Sequence, residues 1–199
     1  MNLINQKHNI AIFASGTGSN FVNIFQNIHN KKLDANIKLL ISNNKRCNAV
    51  KFAHDNGVNY KVINDVRFED YDIDNVMLEI LIKHEIDLIV LAGYMKKIPK
   101  KIIDYYNDRI LNIHPALLPK FGGKGFYGMK VHEAVIKSKE KNTGITIHLV
   151  DNNYDTGSII YQEKIKVLEN DTAISISKKV LDLEHRLYPQ VIKDFLKRI

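Results

Sequence analysis

Apolar positions along this chain fall into two alternating rhythms. Residues 9–14, NIAIFA, make a short unbroken apolar run, and Phe21, Ile24, Phe25 and Ile28 then recur at the spacing of one helix face. IKLLI at 37–41 predicts a second strand, and residues 46–55 a helix ended by Asn56-Gly57. VNYKVI at 58–63 reads as a third strand, before a helix over 75–84 with Val76, Ile80 and Leu81 on one face. DLIVLA at 87–92 is continuous and β-branched, as a strand covered on both faces must be. A short helix over 99–106 leads to a strand at 109–113. Strands and helices alternating over short connections predict a parallel, doubly wound sheet.

The rhythm changes after residue 114. HPALLPKFGGKGFYG is a loop rich in glycine and proline, followed by a helix over 129–138 and a strand over 143–150, TGITIHLV. DNNYDTG is a turn cluster. Residues 158–168 alternate like an antiparallel hairpin or edge pair, and 171–197 read as one long amphipathic helix opened by Asp171. There is no repeat, low-complexity tract or linker, and 199 residues suit one domain. The expectation is a single α/β domain: a mostly parallel twisted sheet with helices on both faces, an antiparallel C-terminal edge and a long last helix.

Composition narrows the function classes. Hydrophobic content of 45% and charged content of 26% are ordinary for a globular chain. No apolar run nears the roughly 20 residues that span a bilayer, and the N-terminus lacks the succession of a signal peptide, so no membrane partner is expected. Cys47 is the only cysteine, which excludes an intrachain disulfide, suits a cytoplasmic protein and reads as a small half-buried side chain. The net charge of +7 comes from 24 lysines among 29 basic residues, spread along the chain without the clusters and interleaved aromatics of a nucleic-acid site. No nucleic-acid partner is expected, while a small anionic substrate fits.

Three stretches carry chemistry. SGTGSN, residues 15–20, joins the first strand to the first helix, where exposed N–H groups and the helix dipole make an anion site. The pattern is G-x-G-x-x-F, lacking the third glycine of a dinucleotide fingerprint, and no Gly-Lys-Ser/Thr follows. A phosphate monoester is the favoured ligand; the plainer alternative is a tight turn with Ser19 or Asn20 capping the helix. In LNIHP, Asn112 and His114 stand two apart at a strand's C-terminal end, so they face one side while Ile113 packs behind. An amide donor beside an imidazole can hold a developing oxyanion and pass a proton. The alternative is a turn Asn and a satisfied core His. Asp155 could orient the imidazole or be a plain turn residue. His114, His132, His148 and His185 show no metal-ligand spacing, so no metal is expected, and His148 reads as a satisfied sheet residue.

SGTGSN (15–20), LAGYM (91–95), LNIHPALLPK (111–120), GITIHLVDNNYDTG (144–157) and LEHRLYP (183–189) together resemble the folate-dependent formyltransferases over nearly the whole chain. The resemblance implies a Rossmann-like fold with an open site at the strand ends, residues 1–100 holding the phosphate and 101–199 carrying catalysis and folate. It implies Asn112, His114 and Asp155 as the catalytic trio, Gly16, Thr17, Gly18, Ser19 and Asn20 on a ribose phosphate, and Glu184 on the ribose. Met95, Lys96, Lys97, Ile98, Asn112, Asp151, Asn152, Asn153, Tyr154 and Asp155 would line a folate pocket. The implied co-substrate is 10-formyltetrahydrofolate, without metal or nicotinamide, and the implied acceptor is the amine of N1-(5-phosphoribosyl)glycinamide in purine synthesis, in a monomer or homodimer. In the implied mechanism that amine attacks the formyl carbon, Asn112 and His114 hold the oxyanion, Asp155 keeps His114 protonated enough to donate, and N10 leaves with a proton.

Rival activities within the family are deformylation of the folate, usually with an extra N-terminal domain, and formylation of methionyl-tRNA, which needs a C-terminal one. A non-catalytic sugar-phosphate module is a third reading. Two departures from the family pattern stand out. Lys96 occupies a position often held by Arg, replacing a planar fork with a point charge, and the loop KFGGKGFYGMKVHE is longer and richer in glycine. Arg67 is the nearest candidate for a second folate-tail cation. Glu184, sharing a helix face with Leu181 and Tyr188, needs a partner: a basic neighbour such as Arg186, or a ribose diol.

Overall fold

A computed structural model describes residues 7–64 and 72–199. Along them run β1 (His8–Phe13), α1 (Ser19–His29), β2 (Ala35–Ser42), α2 (Asn48–Asp55), β3 (Tyr60–Val62), α3 (Ile73–Lys83) and β4 (Leu88–Leu91). Then follow α4 (Lys100–Tyr105), β5 (Ile110–His114), α5 (Met129–Lys137), β6 (Asn142–Leu149), β7 (Ile159–Lys166) and α6 (Ala173–Leu196). The strands form one sheet in the order β3-β2-β1-β4-β5-β6-β7. The first five are parallel, whereas β6 runs antiparallel to β5 and β7 to β6, giving the predicted antiparallel edge.

The period of two in a strand sorts the central residues into two cores. Ile10 and Ile12 of β1, Leu88 and Val90 of β4, and Leu111 and Ile113 of β5 face one side, packed by Phe21, Ala49 and Ile176 from α1, α2 and α6. Ala11, Phe13, Ile89 and Ile110 face the other, covered by Met77 and Leu81 of α3 and Ile102 and Ile103 of α4. Of the predicted face, Leu81 is fully buried and Ile80 packs partly buried against this core, while Met77 rather than Val76 is the buried residue one turn earlier.

Strand order reverses between β1 and β4, each of which sends its next helix to a different face. A crevice opens beyond the C-terminal ends of strands at such a point. The turn after β1 and the loop after β4 meet there: Ser15 N–H donates to the Gly93 carbonyl at 3.0 Å, and Met95 N–H to Ser15 Oγ at 2.8 Å.

The start of α6 differs from the prediction. Thr172, not Asp171, is its N-cap, in a capping box with Ser175. Asp171 instead accepts from Leu168 N–H and pairs with Lys179, both at 2.8 Å. Cys47 is 6% exposed beside Ser42, a packed side chain. No helix among the described residues is long and apolar enough to cross a membrane.

Candidate active site

On β5, Asn112 and His114 share the face of Ile110, and beyond Ile110 the two polar side chains line the crevice. Ile113 packs behind them, 7% exposed. The antiparallel β6 continues the polar face: its His148 pairs with Asn112 and its Thr146 with His114. Four polar side chains thus line the end of an otherwise apolar sheet.

Asp155 completes the group from the turn after β6. It sits at φ +58°, a left-handed conformation that Asp tolerates better than most residues. Its Oδ2 accepts the Gly123 N–H at 2.9 Å and lies 3.6 Å from His114 Nδ1, while its Oδ1 lies 3.4 Å from Asn112 Nδ2 and 3.5 Å from His148 Nε2. The Asp155 side chain packs against Gly122, where an added Cβ would meet Asp155 Cβ at 3.2 Å and strike Leu118. The glycine-rich loop therefore abuts the carboxylate, a role invisible in its composition.

Each imidazole has its tautomer fixed by a carbonyl. His148 Nδ1 donates to the Leu149 carbonyl at 2.7 Å, so its Nε2 accepts from Asn112 Nδ2 at 3.0 Å. His148 is satisfied, as predicted, but it is satisfied by the site, and its cross-strand partnership with Asn112 is the signal a register assignment would have supplied. His114 Nε2 donates to the Phe121 carbonyl at 2.7 Å, which leaves Nδ1 toward Asp155.

The electrostatics correct one expectation. Burial lowers the His114 pKa, and the opposing pull of Asp155 and the Phe121 carbonyl does not overcome it. The surroundings of His114 therefore do not keep it charged. Burial works against ionised Asp155 as well, yet His148, His114 and the Gly123 N–H together hold its carboxyl below the usual carboxylate range.

These groups lie in a cleft of about 730 Å³. One end is the turn after β1. Gly18 is the N-cap of α1 at φ +73°, and no side chain caps the helix, so Ser19 and Asn20 do not fill the roles allowed them as caps. The first helical bond runs from Val22 N–H to the Gly18 carbonyl at 2.8 Å, leaving the earlier N–H groups at the cleft for an anion. Gly18 is required twice, because an added Cβ would also lie 2.8 Å from Ala49 Cβ.

Glu184 stands beside this turn on α6, 8% exposed. Its partner is neither a base nor Arg186: Asn20 Nδ2 donates to its Oε2 at 2.7 Å. A neutral partner cannot offset burial, which pushes the carboxyl up to about 7.

Gly16 to Asn20, Met95 to Ile98, Asn112, His114, Asp151, Asn153, Tyr154, Asp155 and Glu184 all line the cleft; the predicted Asn152 does not. Arg67 falls outside the described residues. Sequence reasoning missed Phe126 and Tyr127 of the glycine-rich loop, Met129 and His132 of α5, and Lys178 and Leu181 of α6, which also line it. No group of three or more His, Cys, Asp or Glu able to hold a metal ion occurs among the described residues.

An open doubly wound sheet with an amide, two imidazoles and a carboxylate at one strand end defines a class of group-transfer enzymes, and the chain belongs to the formyl transferase family, whose model matches residues 8–192. Phosphoribosylglycinamide formyltransferase of Bacillus subtilis is 36% identical over 94% of this chain and 93% of that protein. The chloroplastic phosphoribosylglycinamide formyltransferase of Arabidopsis thaliana is 41% identical over 94% of this chain, which spans 65% of that relative's length. The crystal structure of phosphoribosylglycinamide formyltransferase from Bacillus halodurans superposes with a TM-score of 0.87 at 34% identity, covering 94% of this chain and 95% of that one.

Proposed function

We propose that the protein transfers the formyl group of 10-formyltetrahydrofolate to the amine of phosphoribosylglycinamide, a step of purine synthesis. The observation that carries this reading is that Asn112, His114, Asp155 and the uncapped N-terminus of α1 share one cleft, with His148 bonded to Asn112 and Glu184 beside that helix start.

The substrate phosphate binds the N–H groups of the 16–20 turn. Next along the molecule, its ribose diol meets Glu184, whose Oε2 is taken by Asn20 and whose other oxygen serves the hydroxyls. The phosphate-to-amine length of the substrate then carries the amine to the end of β5. Folate enters from the opposite side, between the loop at 95–98 and the turn at 151–155.

As the amine attacks, the formyl oxygen becomes an oxyanion. Asn112 holds one strong bond, to His148, and one long contact of 3.4 Å, to Asp155, so the second amide hydrogen is the one the oxyanion captures. His114 takes a proton from solvent at Nδ1 as negative charge builds nearby, stabilised by Asp155, and passes it to N10 as that nitrogen departs, while the attacking amine sheds one proton, so the count balances.

The test is turnover of 10-formyltetrahydrofolate with and without phosphoribosylglycinamide. Formyl transfer that requires the acceptor supports the reading. Equal release of formate without it makes water the acceptor and overturns the reading.

A further inference from the structure

One buried imidazole has no part in the arrangement above. His132, on the inner side of α5 next to Val131 and Val135, is 5% exposed and lines the cleft. Neither of its ring nitrogens has a hydrogen-bond partner among the described residues, and Nδ1 is sealed from solvent, which leaves Nε2 on the cleft side. A buried polar atom without a partner destabilises the fold. Packing alone is better served by an aliphatic side chain, so the ring is there at a cost to the fold.

The reaction has a use for it, granted the formyl-transfer reading. The amine lone pair forms a bond to the formyl carbon while the C=O pair moves onto oxygen. The attacking nitrogen then carries one proton too many. When the oxyanion collapses, the bond from carbon to N10 breaks and N10 gains a proton. One proton leaves the amine and one arrives at N10, so an acceptor and a donor are both needed.

Asn112 can do neither. His148 is held on both nitrogens, by Asn112 and the Leu149 carbonyl. Burial dominates at His114 too and lowers its pKa, but Asp155 and the Phe121 carbonyl oppose that lowering and steady a proton on the ring once it arrives. His132 has only opposing influences: burial first, then the charge of His114, the one titratable group among the described residues that bears on it. Both rings are lowered by burial, but only His114 has a carboxylate within reach to steady its charged form, so of the two it is the better donor and His132 the better acceptor.

We propose that His132 is a further catalytic residue, the base that takes the acceptor amine's proton at Nε2 while His114 supplies the proton to N10. The two rings oppose each other's charge, so a proton arriving on His132 promotes its release from His114.

The experiment uses the full chain, with His132→Gln and His132→Ala beside the wild type. Wild-type transfer to phosphoribosylglycinamide comes first; its failure overturns the formyl-transfer reading and this proposal with it. Given an active wild type, folded His132→Gln should lose about 10²–10³ in kcat, with the Michaelis constant for 10-formyltetrahydrofolate within about twofold and the acidic limb of the kcat profile at saturating substrates abolished. Added imidazole should restore part of the His132→Ala turnover, which a merely structural role does not permit. Turnover within about threefold of wild type in either folded variant overturns the proposal, as does lost turnover with an intact acidic limb and no rescue. Should both variants unfold, histidine NMR titration of the wild type decides: a His132 ring neutral near pH 7 that shifts on binding phosphoribosylglycinamide supports the role, and a charged ring or no shift overturns it.

Discussion

The Asn112 amide donates to His148 Nε2 at 3.0 Å across the β5–β6 ladder, where the two residues are direct partners. That bond fixes which way the amide faces, because His148 Nδ1 is already committed to the Leu149 carbonyl. Asn112 is therefore an aimed donor, and the residue that aims it is separately mutable.

Replacing His148 with Leu should leave the sheet intact and free the amide to rotate. We expect kcat to fall by roughly tenfold with both Michaelis constants nearly unchanged, less than the about 10²–10³ for losing an oxyanion donor outright in Asn112→Ala. Steady-state kinetics on the two variants checks this. Wild-type kcat in His148→Leu would show that the amide needs no such support.

Asp155 combines a charge with a left-handed backbone, and two substitutions separate them. Asn also tolerates φ +58°, so Asp155→Asn should lose only the stability that the depressed carboxyl contributes, together with at least about 10² in kcat through the charge. Asp155→Ala should lose the same activity and, in addition, roughly 1–2 kcal/mol of stability from the unfavourable φ. Thermal melts beside kinetics test the pair; equal melting temperatures for the two variants contradict the backbone part.

These residues also mark how far the sequence alone was legible. Every described strand and helix was legible to within a few residues: the longer ones show their period, and the short β3 and β4 are marked by apolar-rich runs between turn residues. Asn112 and His114 were legible as a pair, since i and i+2 must share a strand face. The partnership of His148 was not, for it depends on the register between β5 and β6, which no local pattern specifies. Nor was the Asn20–Glu184 bond, made between residues 164 apart. The Asp155–Gly123 contact was hidden too: glycines announce freedom in a loop, not what that loop rests upon.

Gly18→Ala tests the anion site through its backbone. The new methyl would meet Ala49 and hold an unfavourable φ of +73°. The φ alone should cost roughly 1–2 kcal/mol, and relief of the contact must displace the start of α1. We expect a lower melting temperature and a raised Michaelis constant for phosphoribosylglycinamide, with that for the folate unchanged. A rise in the folate constant instead would relocate the anion site.

The last prediction concerns Glu184 and pH. Its carboxyl is raised from 4.5 to about 7 by burial, so the folded chain binds this proton more tightly than the unfolded one. The stability this contributes is full below pH 4.5 and is lost as pH rises through about 7, on the order of 3 kcal/mol in all. Glu184→Gln should therefore melt at a temperature that changes less than wild type's over that window. Ligand binding runs the other way. An ionised carboxylate accepts from two hydroxyls more strongly than a neutral acid, so the Michaelis constant for phosphoribosylglycinamide should fall as pH rises through about 7. The substrate's own phosphate titrates near pH ~6, so only the difference between wild type and Glu184→Gln isolates the carboxyl. By linkage, bound substrate should lower the Glu184 pKa by the matching amount. If Glu184→Gln keeps the wild-type pH dependence of that constant and changes only the melting temperature, Glu184 serves the fold through Asn20 and not the ribose.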